Sequence, residues 1–318
     1  MSMSNKVVTI TLNPALDLTG SLNTLNKGSV SLVNNSHFHA AGKGVNVAKV
    51  LSDLGANVTV TGFLGEDNQE LFCQLFNEIN ATDRFIRVKG ATRINVKLVE
   101  QSGSVSDINF PGVCVDDADI EAFETTLDEL CQDHQFFVLA GSLPQGISPE
   151  LCAKWVSLLQ QRGKKVIFDS SRTALKAGIS AKPWLIKPND EELSELVGTQ
   201  IRTQQDVTNI TEQLSQTGIE NIVVSMGANG VMWLNENQWL CSKPPKMDVV
   251  STVGAGDTLV AGMCWGHMKE MSKTDLLRFA TSLSALAVSQ VGVGVDDVSL
   301  LQTLQEKIEI NPISSLNE

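Results

Sequence analysis

Short β-branched and apolar runs recur along the chain, each closed by a turn signal and separated from the next by a stretch with helical periodicity. The first, Val7-Val8-Thr9-Ile10-Thr11-Leu12, stops at Asn13-Pro14, where proline removes a ladder donor. Residues 58–64, 136–140, 166–170, 184–187 and 222–225 are runs of the same kind, and residues 45–54 are an amphipathic helical stretch between two of them. Continuous apolar runs, as opposed to alternating ones, predict strands buried on both faces. The rhythm as a whole predicts an α/β fold, a doubly wound and mostly parallel sheet flanked by helices.

Two segments break that rhythm, residues 17–39 and residues 84–110. In the second, Ile94-Asn95-Val96-Lys97-Leu98 alternates apolar and polar side chains, the pattern of a half-exposed strand. Strands inserted outside the regular alternation form either a small sheet over the active site, as a lid, or an extension of the main sheet's edge. With no Pro-, Gly- or Ser-rich linker and no internal repeat, residues 1–318 read as one domain carrying a small β-sheet lid.

Composition narrows the partners. The formal charge of −12 over 318 residues argues against a nucleic-acid surface. It also repels phosphorylated substrates at long range, so a phosphate site needs local Lys or Arg residues. Cys73, Cys114, Cys131, Cys152, Cys241 and Cys264 are scattered, with no Cys-x-x-Cys pair, and read as reduced packing residues. No run of 18 apolar residues and no signal-peptide pattern occurs, which leads to the expectation of a cytoplasmic protein without membrane contact.

Four short motifs carry chemistry. Ser251-Thr252-Val253-Gly254-Ala255-Gly256-Asp257 ends an apolar run and opens a helix. Without Cβ atoms at Gly254 and Gly256 the backbone can approach an anion, the free N–H groups of the first turn point at it, and Asp257 stands near as a proton acceptor. The same residues also serve as an ordinary helix start. Ala41-Gly42-Lys43-Gly44-Val45-Asn46 is a second glycine-rich helix start, with Lys43 to neutralise a phosphate, Gly44 to admit close backbone approach and Asn46 to donate and accept. It reads equally as a turn with an exposed lysine.

Lys187-Pro188-Asn189-Asp190-Glu191-Glu192 follows a strand and enters a helix, placing Asn189 and Glu192 on one face. The pair can hold hydrated magnesium through water, or form a capping box. Val223-Val224-Ser225-Met226-Gly227-Ala228-Asn229-Gly230 can touch a nucleotide phosphate or simply connect a hairpin. His37 and His39 share a strand face without a third metal ligand nearby and read as surface or packing residues. Walker A, G-x-G-x-x-G, H-R-D, D-F-G and G-x-S-x-G signatures are absent, which removes P-loop, Rossmann, protein-kinase and serine-hydrolase readings.

The order Asn13-Pro14-Ala15-Leu16-Asp17, Gly42-Lys43-Gly44-x-Asn46, Lys187-Pro188-Asn189-x-x-Glu192, Gly254-Ala255-Gly256-Asp257 resembles the ribokinase-like sugar kinases, in their phosphofructokinase B branch. The likeness spans nearly the whole chain. The early Asn-Pro-Ala-x-Asp and Gly-Lys-Gly-x-Asn pair narrows it to kinases of phosphorylated ketohexoses, and within these His39-Ala40-Ala41-Gly42-Lys43, Thr92-Arg93-Ile94-Asn95-Val96-Lys97, Phe168-Asp169-Ser170-Ser171-Arg172 and the run from Asp248 to Asp257 look most like the kinases that act on fructose 1-phosphate. The resemblance implies ATP and Mg2+ as cofactors and phosphorylation of fructose 1-phosphate at its 6-hydroxyl. The alternatives are tagatose 6-phosphate or fructose 6-phosphate as substrate, or a sugar-phosphate sensor without turnover.

Carried over by position, Asp257 is the base, with an anion hole at Gly254, Ala255 and Gly256. Asp17, Gly42, Asn46 and Asn95 line the sugar, and Lys43 with Arg93 meets the phosphate already on it. Lys187, Ser225, Gly227, Gly230 and Thr252 build the nucleotide site, joined by Asn189, Gly254 and Gly256, while Asn189 and Glu192 hold magnesium through water. Ala41 departs from the Gly-Gly pair of many free-sugar kinases, which weakens a free-sugar reading. Lids of the family often pair between subunits, which implies a homodimer.

Overall fold

Val7 and Val8 are neighbours that point to opposite sides of one strand, and both are fully buried. Val7 joins one apolar layer, Val8 and Ile10 the other. The next strands repeat the division, with Val138 in the first layer and Phe137 and Leu139 in the second, so the main sheet is covered on both faces.

The computed structural model describes residues 5–290 and 292–313. In chain order its first elements are β1 (Lys6–Thr11), β2 (Ala15–Leu22), β3 (Asn35–Ala41), α1 (Lys43–Asp53), β4 (Asn57–Gly65), α2 (Glu70–Glu78), β5 (Thr82–Asp83), β6 (Ile86–Val88), β7 (Ile94–Glu100) and β8 (Val105–Ile108). There follow α3 (Asp117–Leu130), β9 (Phe136–Ala140), α4 (Pro149–Gln161), β10 (Lys165–Asp169), α5 (Arg172–Ser180), β11 (Leu185–Ile186), α6 (Asp190–Val197) and α7 (Gln204–Ser215). The last are β12 (Asn221–Ser225), β13 (Val231–Asn235), β14 (Gln238–Lys243), α8 (Ala255–Met268), α9 (Lys273–Val288), α10 (Val298–Lys307) and β15 (Glu309–Ile313).

The main sheet runs parallel through β4, β1, β9, β10, β11 and β12, then turns antiparallel through β13, β14 and β15. Every continuous apolar run read from the sequence as a strand lies in it, with ends shifted by a residue or two. The carboxyl ends of β1, β9, β10, β11 and β12 therefore open on one edge, where α/β sheets place ligands. α8 crosses one face and is buried almost all round, packed between α1 and α9.

A separate sheet of four strands, in the order β3-β2-β7-β8, rises from that edge. Its register puts Asp17 opposite His39 and Asn95, and Thr19 opposite His37 and Lys97, so one face is polar. Leu18 stands opposite Phe38 and Val96, and Val96 opposite Ile108, so the other face is apolar.

The irregular segments need correction in detail. Residues 84–93 do not belong to the small sheet: β6 pairs with β4 of the main sheet, and the inserted part begins at Ile94. Between β2 and β3 the chain forms no strand. The apolar stretch before Ser251 is not a strand either, since Val249 and Val250 are exposed and the Val250 and Ser251 N–H groups donate to the Val288 carbonyl at the end of α9.

Candidate active site

Six described helices, α3, α4, α6, α7, α9 and α10, start on a side chain that caps the first turn: Asp116, Ser148, Asn189, Thr203, Ser272 and Asp297. α1 and α8 start instead on Gly42 and Gly254, with no side-chain cap, and both point into the same place. The Ala255 N–H reaches the Thr252 carbonyl at 3.4 Å, which leaves the Gly256 and Asp257 N–H groups of that first turn for something else, and the helix dipole adds positive potential there. Gly254 is in the left-handed region at φ 78°, and a Cβ on it would stand 2.4 Å from Val293. Gly256 faces open space except for Lys187, whose Nζ would lie 3.5 Å from a Cβ placed there.

Asp257, in the first turn of α8, is 6% exposed and accepts a 2.7 Å hydrogen bond from Asn46 Nδ2 on α1. Burial raises its pKa and the nearby Asp169 raises it further; Lys43, the Asn46 bond and Lys187 oppose them, and the carboxyl is pushed up to about 6. The two uncapped helices therefore bring a buried carboxylate and an amide that donates to it together from positions far apart in the chain.

Asp169, the last residue of β10, is the residue that sequence reasoning missed. It is 1% exposed, its two oxygens accept from Lys43 Nζ at 3.3 and 3.2 Å, and Lys187 Nζ lies 3.5 Å away. Burial pulls the Lys43 ammonium down, but Asp169, Asp257 and Glu192 together overcome it and hold its pKa well above the ordinary range. One signal was available beforehand: a carboxylate closing a wholly apolar run at the carboxyl end of a predicted parallel strand.

Lys43 accordingly stands at the Asp257 end, not beside Arg93. The Arg93 guanidinium donates to the carbonyls of Asn13, Pro14 and Phe110 at 3.1, 3.3 and 3.4 Å, tying the base of the small sheet to the end of β1. Burial lowers its pKa against the pull of Asp17. Asp17 and Asn95 do meet, with Asn95 Nδ2 donating to Asp17 Oδ1 at 3.1 Å. Burial raises the Asp17 pKa, opposed by Asn95, His39, Lys97 and Arg93. Asn95 Oδ1 is buried without a partner.

Two glycines turn out to serve the backbone. A Cβ on Gly44 would stand 2.3 Å from Thr11 Oγ1 and 2.9 Å from the Ile10 carbonyl, so Gly44 lets α1 seat on β1. Gly230, at φ 99°, would place a Cβ 1.9 Å from the Ser242 carbonyl, and the segment is the hairpin connection between β12 and β13. Gly227 lies exposed in that turn and Ser225 closes β12, its N–H donating to the Pro188 carbonyl at 3.2 Å. Thr252 is exposed in the turn before α8.

Asn189 and Glu192 form a reciprocal capping box at α6: the Glu192 N–H donates to Asn189 Oδ1 at 2.7 Å and the Asn189 N–H to Glu192 Oε2 at 3.0 Å. Among the described residues no group of three His, Cys, Asp or Glu is placed to hold a metal ion. A hydrated magnesium still fits, since the box engages one Glu192 oxygen and leaves the other for water, and Mg2+ commonly keeps its waters and binds through substrate phosphates. No helix among the described residues is long and apolar enough to cross a membrane.

Known proteins resemble this chain over nearly its whole length. Residues 5–299 match the pfkB family of carbohydrate kinases. The chain is 70% identical to 1-phosphofructokinase of Vibrio cholerae, with 98% of each chain covered, and 49% identical to 1-phosphofructokinase of Haemophilus influenzae, over 96% of this chain and 98% of that one. It superposes on the tetrameric inhibited form of phosphofructokinase-2 from Escherichia coli with a TM-score of 0.84 and 25% identity, covering 95% of this chain and 98% of that one.

Proposed function

The chain belongs to the pfkB family of carbohydrate kinases, and from that premise we propose that it transfers the γ-phosphoryl group of ATP to the 6-hydroxyl of fructose 1-phosphate, giving fructose 1,6-bisphosphate and ADP. The observation that carries this is 70% identity to the Vibrio 1-phosphofructokinase over 98% of both chains. Full-length likeness of that order favours fructose 1-phosphate over fructose 6-phosphate or tagatose 6-phosphate.

Asp257 would accept the proton of the 6-hydroxyl as its oxygen attacks phosphorus, with Asn46 fixing the carboxylate's direction. The N–H groups of Gly256 and Asp257 at the start of α8, together with Lys43 and Lys187, would face the charge that develops on the transferring group. Asp17 and Asn95, on the polar face of the small sheet, would bind sugar hydroxyls, and Arg93 beside them the phosphate already present. Magnesium, held by Asn189 and Glu192 through water, would neutralise phosphate oxygens. Ser225, Gly227 and Thr252 border the edge where the nucleotide would lie.

The small sheet would act as a lid that excludes water from the transfer. Its apolar face supports a homodimer in which two such faces meet. A supply of ATP and six free cysteines fit a cytoplasmic location.

An ADP-release assay with fructose 1-phosphate, fructose 6-phosphate and tagatose 6-phosphate checks the substrate. The expected result is the highest kcat/KM with fructose 1-phosphate. A preference for fructose 6-phosphate, or tight sugar-phosphate binding with no ADP formed, would overturn the assignment.

A further inference from the structure

Asp257 as a base has a local problem. Two ammonium groups, Lys43 and Lys187, lie close enough to lower its proton affinity, and a carboxylate clamped between two lysines is a poor proton acceptor. The geometry shows what occupies those lysines instead. Both oxygens of Asp169 accept from Lys43 Nζ, and Lys187 Nζ sits 3.5 Å from the same carboxylate. Asp169 cannot drift away, since its backbone is held on both sides: the Gly141 N–H donates to its carbonyl at 2.9 Å and the Lys187 N–H donates to the carbonyl of Phe168.

We propose that Asp169 is a positioning residue: it takes Lys43 and Lys187 as its own ion-pair partners, aims both at the phosphoryl path, and so leaves Asp257 free to accept the hydroxyl proton. The proposal rests on the kinase reading above and adds to it a residue with no contact to either substrate assigned. The groups that face Asp257 are Asp169 from β10, Lys43 and Asn46 from α1, and Lys187 after β11, with Glu192 of α6 acting on Lys43. Of the charged groups among these, Asp169 raises the proton affinity of Asp257 and the two lysines lower it. Removing the Asp169 charge thus works twice in one direction, by ending a repulsion and by releasing two cations toward the base.

The pH dependence of kcat/KM tests this, because its acid limb reports the base in the free enzyme. The phosphate of the sugar titrates in the same range, but equally for every variant, so differences between variants belong to the protein. In Asp169→Asn the limb should move down by about one pH unit, with lower turnover, whereas Asp169→Glu should return it close to its original position. A role confined to stability would lower melting temperature and leave the limb where it was, and that result overturns the proposal. Should Asp169→Asn fail to fold, Asp169→Ser takes its place, since it also removes the charge: its limb should move down in the same way, and an unmoved limb in that folded variant overturns the proposal. The kinase reading fails separately, if the wild-type protein forms ADP with none of the three sugar phosphates, and the proposal falls with it.

Discussion

As the proposed base, Asp257 would have to meet two demands that conflict in water: to be ionised at working pH, yet basic enough to receive a proton from an alcohol. Burial and Asp169 push its carboxyl up to about 6, while Lys43, Asn46 and Lys187 keep it from going further. A base with that value is protonated below pH 6, so kcat/KM should fall about tenfold per unit on the acid side of pH 6 and flatten above it. Asp257→Asn keeps the shape and the Asn46 contact but cannot accept the proton. It should retain sugar-phosphate affinity, measured by calorimetry, and lose about two to four orders of magnitude in turnover. Unchanged turnover would remove Asp257 from its role. The residue was legible in the sequence because the glycines before it and its place at a helix start are local. Asp169 was not, because what makes it part of the site is its pairing with Lys43, 126 positions away. The partner of Lys43 is hidden for the same reason: a charge finds its partner through topology, which no local spacing encodes.

Among the elements, α6 illustrates how one motif can satisfy two physical readings. Asn189 and Glu192 close a capping box, which accounts for their spacing without any ligand, and the free oxygen of Glu192 remains available to a water of hydrated magnesium. Glu192→Gln separates the two. A glutamine still accepts the Asn189 N–H, so the melting temperature should hold within about two degrees, capping boxes admitting either residue. The concentration of Mg2+ needed for half-maximal activity should rise severalfold if the charge matters; an unchanged requirement would confine Glu192 to the cap. The parallel strands were readable because burial on both faces demands continuous apolar runs. β5 and β6 were not, since Thr82–Asp83 and Ile86–Val88 are too short to show a period, and their place on β4 is decided by tertiary pairing. Gly44 and Gly230 looked like ligand contacts for a related reason. A missing Cβ has the same appearance in a sequence whether a phosphate or a neighbouring strand needs the space.

At the scale of the whole molecule, the small sheet presents a face that the single chain does not cover. Phe38, Leu18, Val96 and Ile108 form one apolar row across all four strands, with Phe38 45% and Ile108 47% exposed, and Ile94 at 40% exposed beside it. Leaving such a row in water is unfavourable, and the chain's net charge of −12 opposes association in general, so in the proposed homodimer a second copy would meet this one through the row itself. Wild-type protein should therefore sediment with the mass of two chains. Because the contact is apolar and the surrounding repulsion is ionic, added salt should strengthen the pair and not dissolve it. Phe38→Asp places a charge at the β3 end of the row, inside the proposed contact, and should yield single chains. The opposite face of the same strands holds Asp17 and Asn95, so the monomer should also show a raised KM for sugar phosphate with the KM for ATP little changed. A wild-type protein that runs as one chain at micromolar concentration, or a Phe38→Asp variant that stays paired, would remove the small sheet as the interface.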